Sequence, residues 1–121
     1  MSDWKTPLRL VEQLDKKGNI HEKGVKKLVS AVAEASELGD KLGCAEFIAF
    51  ATSAVRSAHN SEAVLDEVEK QTGVRLQILS GVEEAQLTFL SARRWYGWSA
   101  GRLLVLDIGG GSLEIAAGDD E

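Results

Sequence analysis

Three consecutive glycines near the end of the chain, flanked by an aspartate and a serine, restrict its fold more than any other feature. An apolar run from Leu103 to Leu106 ends in Asp107, and an apolar segment carrying Glu114 follows the glycines and Ser112. This order predicts two strands joined by a tight turn. Because side chains alternate along a strand, we expect Glu114 on the face opposite its two neighbours.

The same loop has the residues of a phosphate-binding turn. Glycine lets the backbone approach a ligand closely, and successive N–H groups in such a turn form an anion-binding nest. Asp107, at the end of the first strand, is placed to hold Mg²⁺ beside phosphate oxygens. A plain hairpin is the alternative, but the flanking Asp107, Ser112 and Glu114 favour ligand binding. No Gly-x-x-x-x-Gly-Lys occurs, and Glu114 replaces the third glycine of a dinucleotide fingerprint, so neither motif is present.

The composition is ordinary for a globular protein and excludes several function classes. With 121 residues, 44% of them hydrophobic and 27% charged, the chain is long enough for one modest domain. A net charge of −5 argues against nonspecific binding to DNA. Cys44 is the only cysteine, which predicts a reduced, cytoplasmic setting. We see no signal peptide or membrane-length apolar run, and His21 and His59 are too isolated for a zinc site.

Upstream of the hairpin, the hydrophobic pattern predicts helices alternating with short strands. A strand, a helix and a second strand in this order predict a parallel strand pair with a right-handed crossover. Asn60 is expected to cap the helix at 61–72, and Gly43 to end the helix at 22–42. The predicted elements are a strand at 8–11, a turn at 15–19, helices at 22–42, 61–72 and 81–96, and strands at 45–51 and 75–79.

Two further segments are candidates for chemistry. Thr52-Ser53-Ala54-Val55-Arg56 follows a predicted strand, where hydroxyls and Arg56 are suited to contact phosphate at the carboxyl edge of a sheet. The alternative is that Thr52 or Ser53 caps a helical turn and Arg56 is solvated. An aromatic cluster at 95–98 predicts either a nucleobase or partner site, or packing under a short connection, which the pattern favours.

The second candidate is the glutamate pair at the start of the last helix. Ser80 and Glu83 have the spacing of a capping box, which assigns Glu83 to the helix start. Glu84 lies about 200° around the helix from Val82 and therefore points away from the apolar face. It is either a solvated residue or a carboxylate facing a cleft.

The motifs together resemble one known family. Asp-Ile-Gly-Gly-Gly-Ser-Leu-Glu, at 107–114, resembles the second phosphate loop of the exopolyphosphatase and guanosine pentaphosphate phosphohydrolase family (Ppx/GppA), with Leu113 where that family usually has threonine. The Ala-Thr-Ser-Ala-x-Arg run at 51–56, the Gly-x-Glu-Glu-Ala segment at 81–85 and the stretch 5–20 are also similar to it. The resemblance implies an α/β, ribonuclease H-like fold of the actin-like ATPase superfamily, a parallel or mixed sheet with flanking helices.

The resemblance also implies an activity and a set of site residues. The activity is hydrolysis of terminal phosphoanhydride bonds of polyphosphate or guanosine pentaphosphate, with Mg²⁺ or another divalent cation, in a cytoplasmic homodimer. Glu84 and Glu114 would orient and deprotonate water, and Asp107 would hold the metal. The residues that would contact the substrate are Arg56, Gly109, Gly110 and Ser112. An ATP-binding kinase-like protein and a noncatalytic polyphosphate or alarmone sensor remain alternatives.

We expect the chain to be a fragment that is inactive by itself. Residues 1–98 match part of the family's first domain, whose N-terminal hairpin is missing, and 99–121 match the first hairpin of the second domain. The missing hairpin would leave the strand at 45–51 with an exposed apolar edge. We therefore predict that residues 103–107 fill the vacant position and pair in parallel with 46–51, within one chain or by exchange between two.

Overall fold

The computed structural model describes residues 4–109 and 112–119. They divide into two compact units, one reaching Ile78 and one starting at Leu79. The first unit contains a 3₁₀ helix at Leu10–Gln13, α1 at Glu22–Lys41, β1 at Phe50–Ala51, α2 at Ser53–Arg56, α3 at Ser61–Thr72 and β2 at Gln77–Ile78. The second contains α4 at Gly81–Tyr96, a 3₁₀ helix at Trp98–Ala100, β3 at Leu103–Ile108 and β4 at Leu113–Gly118.

The first unit has an apolar core to which both long helices contribute. α1 packs against α3, and β1 pairs in parallel with β2, which confirms the predicted parallel pair. Val64 and Val68 of α3 are almost completely buried, because the helix repeats apolar residues on one face. The buried cluster comprises Ile20, Leu28, Val32, Ala51, Val55, Ala58, Val64, Leu65, Val68 and Leu76.

The helix bounds follow the sequence closely, but one predicted cap has a different role. Gly43 adopts a left-handed φ of 69° just after α1, as expected for a helix end. α3 follows Asn60 as predicted, yet the Asn60 side chain makes no capping bond. Its Oδ1 accepts from the Ile20 N–H and its Nδ2 donates to the Ile20 carbonyl, both at 2.9 Å. Asn60 therefore secures the segment before α1 rather than the start of α3.

Three predicted strands are absent or shortened. The predicted strand at 8–11 is wrong: Arg9 has a φ of 50°, which interrupts an extended segment, and a 3₁₀ helix follows. Among the described residues of 45–51 and 75–79, only four form a ladder, Phe50 with Gln77 and Ala51 with Ile78. Phe47 and Ile48 are 40% and 55% exposed, which agrees with the expected bare apolar edge.

In the second unit, the predicted hairpin is present. β3 and β4 form an antiparallel ladder from Leu103 opposite Gly118 to Ile108 opposite Leu113. α4 packs against both strands. Burial alternates along each strand, so one face of the hairpin is covered and the other is exposed.

The predicted parallel ladder between 103–107 and 46–51 is wrong. Within the described residues, β3 has its ladder partners in β4, and β1 has its partners in β2. The physical reason is proximity along the chain, because a four-residue loop brings β4 beside β3 at a small loss of chain entropy. The predicted boundary between residues 98 and 99 remains a prediction, and the compact units divide between Ile78 and Leu79.

The aromatic cluster does not pack as expected. Trp95 is 86% exposed and Tyr96 is 68% exposed, so the packing interpretation is wrong for both. Trp98 is also largely exposed, although its ring lies 6.0 Å from the guanidinium carbon of Arg93. None of the described helices is both long and apolar enough to cross a bilayer.

Candidate active site

The loop end of the hairpin brings two of the predicted carboxylates together. Asp107 and Glu114 are opposite each other in the antiparallel ladder, one step before the loop. Glu114 is only 8% exposed, whereas its neighbours Leu113 and Ile115 are 57% and 59% exposed, which confirms the predicted alternation. Both acids therefore lie on the covered face of the hairpin, while five large aliphatic side chains lie on its exposed face, an unusual distribution for a stable sheet.

The loop itself is held by two internal hydrogen bonds. The Ser112 hydroxyl donates to Glu114 Oε2 at 3.0 Å, and the Gly109 N–H donates to the Ser112 carbonyl at 3.0 Å. Either donor must exchange its present partner before it can bind a phosphoryl oxygen. Gly110, the third predicted loop contact, lies outside the described residues.

The backbone geometry at position 109 does not require a glycine. Its φ is outside the left-handed region, and an added Cβ would lie 3.5 Å from Ser112 Oγ, an ordinary van der Waals distance. An alanine therefore fits this backbone. A glycine whose own chain tolerates a methyl group is consistent with close approach by a ligand.

A residue that the sequence reasoning missed holds Asp107 in place. The Thr88 hydroxyl of α4 donates to Asp107 Oδ2 at 2.9 Å, and this bond is partly buried. One signal for it was available: Thr88 lies four positions after Glu84, and residues with this spacing share a helix face. Glu84 and Thr88 therefore share one face of α4, and both are half-buried.

The start of α4 separates the two glutamates as predicted. Ser80 Oγ accepts from the Glu83 N–H at 3.2 Å, and Glu83 Oε2 accepts from the Ser80 N–H at 2.8 Å. The Ser80 hydroxyl also donates to Glu83 Oε2 at 2.8 Å. The two bonds that the carboxylate accepts, first from the Ser80 backbone and then from its hydroxyl, lower the pKa of Glu83. Because Glu83 caps the helix, the half-buried Glu84 is the glutamate left for another role.

Arg56 belongs to the first unit. It ends α2, the four-residue helix that begins two residues after β1, so it follows the carboxyl end of a parallel strand as predicted. The Thr52 side chain makes no capping bond to α2, which removes the capping explanation for Thr52. Arg56 is half-buried, so it is not a fully solvated surface arginine.

An open groove lies beside Glu114. It is formed by the first turns of α4 and by β4 and has a volume of about 480 Å³. Glu114 is its acidic lining residue, and most of the others are apolar. Concave surfaces of this size with a few polar groups are typical of small-molecule sites. The groove is lined by Gly81, Val82, Ala85, Gln86, Leu113, Glu114, Ile115, Ala116 and Ala117.

The donor set suits Mg²⁺ only in a substrate-assisted site. No group of three histidine, cysteine or acidic side chains that would hold a metal occurs among the residues described by the structure. Mg²⁺ is commonly held by one or two carboxylates, with substrate phosphates and water completing its coordination. Asp107, with Glu114 opposite, fits this mode, and its oxygen Oδ1 is the candidate ligand because Oδ2 accepts from Thr88.

Comparison with known proteins finds relatives along the whole chain. The chain is 58% identical over its full length to Exopolyphosphatase 1 of Mycobacterium tuberculosis and covers 35% of that protein. It matches the crystal structure of an exopolyphosphatase from Cytophaga hutchinsonii with 27% identity and a TM-score of 0.90, over 98% of this chain and 38% of the other.

A Ppx/GppA family member from Aquifex aeolicus matches with 25% identity and a TM-score of 0.78, over 93% of this chain and 36% of that structure. The chain thus spans about a third of the length of these relatives, and its α/β fold is the actin-like ATPase fold of these structures. The model of the Ppx/GppA phosphatase family matches residues 1–121. The chain therefore belongs to the Ppx/GppA phosphatase family.

Proposed function

We propose that these residues are part of a longer enzyme that hydrolyses terminal phosphoanhydride bonds of inorganic polyphosphate and releases orthophosphate. The observation that carries the proposal is the placement of Asp107 and Glu114 opposite each other beside a glycine loop. The relatives named exopolyphosphatase favour polyphosphate as the substrate. Guanosine pentaphosphate, the other substrate in the resemblance, is the second candidate.

The roles follow from what phosphoryl transfer requires. The leaving and attacking oxygens must be positioned, and the charge that develops on the phosphoryl group must be neutralised. A bound Mg²⁺, held by Asp107, would supply part of that neutralisation. Arg56 would balance further phosphate charge, and the loop at Gly109, Gly110 and Ser112 would hold the transferred group through its amides and hydroxyl.

The two remaining glutamates are assigned to the attacking water. Glu114 is buried at the loop and is oriented by the Ser112 hydroxyl, so its carboxylate has a defined direction. Glu84 lies on α4, one turn before the residue that binds Asp107. Together they would orient the water, accept its proton as the new P–O bond forms, and leave the bridging oxygen to depart with the shortened polyphosphate chain.

A phosphate-release assay tests the proposal. The full-length protein should release orthophosphate from polyphosphate in the presence of Mg²⁺, and faster than from guanosine pentaphosphate or ATP. Tight binding of polyphosphate without turnover would instead indicate a noncatalytic sensor. Transfer of phosphate from ATP to an acceptor would indicate a kinase-like protein.

Two other properties are part of the same proposal. We place the enzyme in the cytoplasm and expect a homodimer, as the resemblance implies, with polyphosphate rather than DNA or a membrane as its partner. Light scattering of the full-length protein measures the assembly directly, and a monomeric mass would contradict it.

A further inference from the structure

We propose that Thr88 is a positioning residue that fixes the carboxylate of Asp107 for metal binding; this inference rests on the proposed function. Thr88 and Asp107 are 19 positions apart, and their side chains join α4 to β3 through one hydrogen bond of 2.9 Å. The bond is partly buried, so competition from water is reduced.

The direction of the Thr88 hydroxyl distinguishes it from other helical hydroxyls in the chain. Thr72 donates to the Val68 carbonyl at 2.7 Å, and Ser91 donates to the Leu87 carbonyl at 2.9 Å, each four positions earlier in its own helix. This is the usual local bond of such residues. A hydroxyl has one hydrogen, so Thr88 gives up this local bond in order to donate to Asp107.

This single bond relates three carboxylates to one another. Thr88 shares a helix face with Glu84, with Cβ atoms about 5–6 Å apart. Asp107 is opposite Glu114 in the hairpin ladder. The contact therefore fixes the helix that carries Glu84 against the strand pair that carries the other two acids. A shift of α4 along the hairpin would have to break it.

The bond also leaves Asp107 suited to bind a cation. An ionised carboxylate has about four lone-pair sites, and Thr88 uses one of them on Oδ2. A neutral hydroxyl orients the group without neutralising its charge, unlike an arginine or lysine partner. Hydrogen bonds that orient metal ligands typically change metal affinity or activity about 10–100-fold when they are removed.

The test compares three substitutions in the full-length protein. Thr88→Val keeps the shape of the side chain and removes the hydroxyl, whereas Thr88→Ser keeps the hydroxyl. Ser91→Ala is the matched control, because Ser91 lies on the same helix and donates only locally in the described contacts. Mn²⁺ binding in the presence of orthophosphate, which supplies phosphate oxygens to the site, is measured by electron paramagnetic resonance, and kcat and KM for polyphosphate are measured separately.

We expect Thr88→Val to weaken Mn²⁺ binding about 10–100-fold and to lower kcat with little change in KM. Thr88→Ser should restore both values, and Ser91→Ala should match the unmodified protein. The proposal is overturned if Thr88→Val binds Mn²⁺ normally, if serine fails to rescue, or if the unmodified protein binds no Mn²⁺. If Thr88→Val does not fold, Mn²⁺ binding, kcat and KM are measured on Thr88→Ala instead, with the same expected results. If the unmodified protein binds Mn²⁺ but releases no phosphate, the proposed function fails, while the binding comparison still tests Thr88.

Discussion

The two units of the chain bury opposite kinds of side chain. Within the described residues, every buried apolar side chain lies in the first unit, where Val64 and Val68 are almost inaccessible to water. The buried side chains of the second unit are both charged, Arg93 and Glu114. The second unit also exposes an aliphatic surface, the outer face of the hairpin, which comprises Leu104, Leu106, Ile108, Leu113 and Ile115.

This difference in buried side chains suggests that the first unit contributes most of the folding stability and the second unit carries most of the candidate site. Burial of apolar surface is the main favourable term in folding, so the first unit supplies its own driving force. The second unit gains less from this term and depends more on specific polar contacts. A buried acid such as Glu114 reduces stability, and such local conflicts are expected at functional sites. The comparison predicts that substitutions in the second unit change activity more than folding, and that the first unit behaves in the opposite way.

The largest expected effect is on catalysis. In the full-length protein, Glu84→Gln and Glu114→Gln should each lower turnover about 10²–10⁴-fold, the range for groups that transfer protons. Glu83→Gln is the matched control and should leave turnover nearly unchanged, because Glu83 caps α4. The measurement is steady-state phosphate release with circular dichroism of each variant. A larger loss for Glu83→Gln than for Glu84→Gln would contradict the division of roles.

The next effect is on stability and tests the core of the first unit. Leu65→Ala removes a side chain that is 3% exposed, so we expect a loss of about 2–5 kcal/mol in the free energy of unfolding. Leu106→Ala removes the same atoms from a side chain that is 57% exposed, and should cost less than about 1 kcal/mol. Urea denaturation of the 121-residue chain measures both. Equal losses would mean that the outer face of the hairpin is packed in solution.

A smaller effect concerns the buried cation of the second unit. The Arg93 guanidinium lies over the Phe89 ring at 5.6 Å, and its Nη2 donates to the Gly118 carbonyl at 3.4 Å. Arg93→Ala should cost about 1–3 kcal/mol, since it removes a cation–π contact and a buried side chain. Hydrogen exchange should show faster opening of β4 with α3 unaffected. Arg94→Ala, at an exposed position, is the control, and faster exchange in α3 would argue against local opening.

Elements that depend on local chemistry could be predicted from the sequence. The capping box of α4 and the antiparallel pair of β3 and β4 are formed by residues close to each other in the sequence, and both are confirmed. α1 and α3 were predictable because their apolar residues repeat at helical spacing. The face of Glu114 followed from strand alternation alone.

Features that depend on distant partners could not be predicted in this way. Asn60 has the ideal residue type for a cap, but the backbone of Ile20, 40 positions away, competes for its side chain. The strand at 45–51 has the right composition, yet its length depends on a partner that pairs with only two of its residues. The bond from Thr88 to Asp107 depends on how α4 lies against β3, which no local pattern specifies.

The smallest expected effect is a pH dependence at the start of α4. The pKa of Glu83 is lowered from its ordinary value of 4.5, because the ionised carboxylate accepts hydrogen bonds from the Ser80 backbone and hydroxyl. A lowered pKa in the folded state means that this stabilisation is fully present above pH 4.5 and is lost as the pH falls through the folded value. The group is exposed, so the change should be small and local. Hydrogen exchange in the first turn of α4, compared between pH 6 and a pH of about 3, should show the loss. Glu83→Gln should abolish the pH dependence of that turn, and an unchanged dependence would assign the effect to another carboxylate.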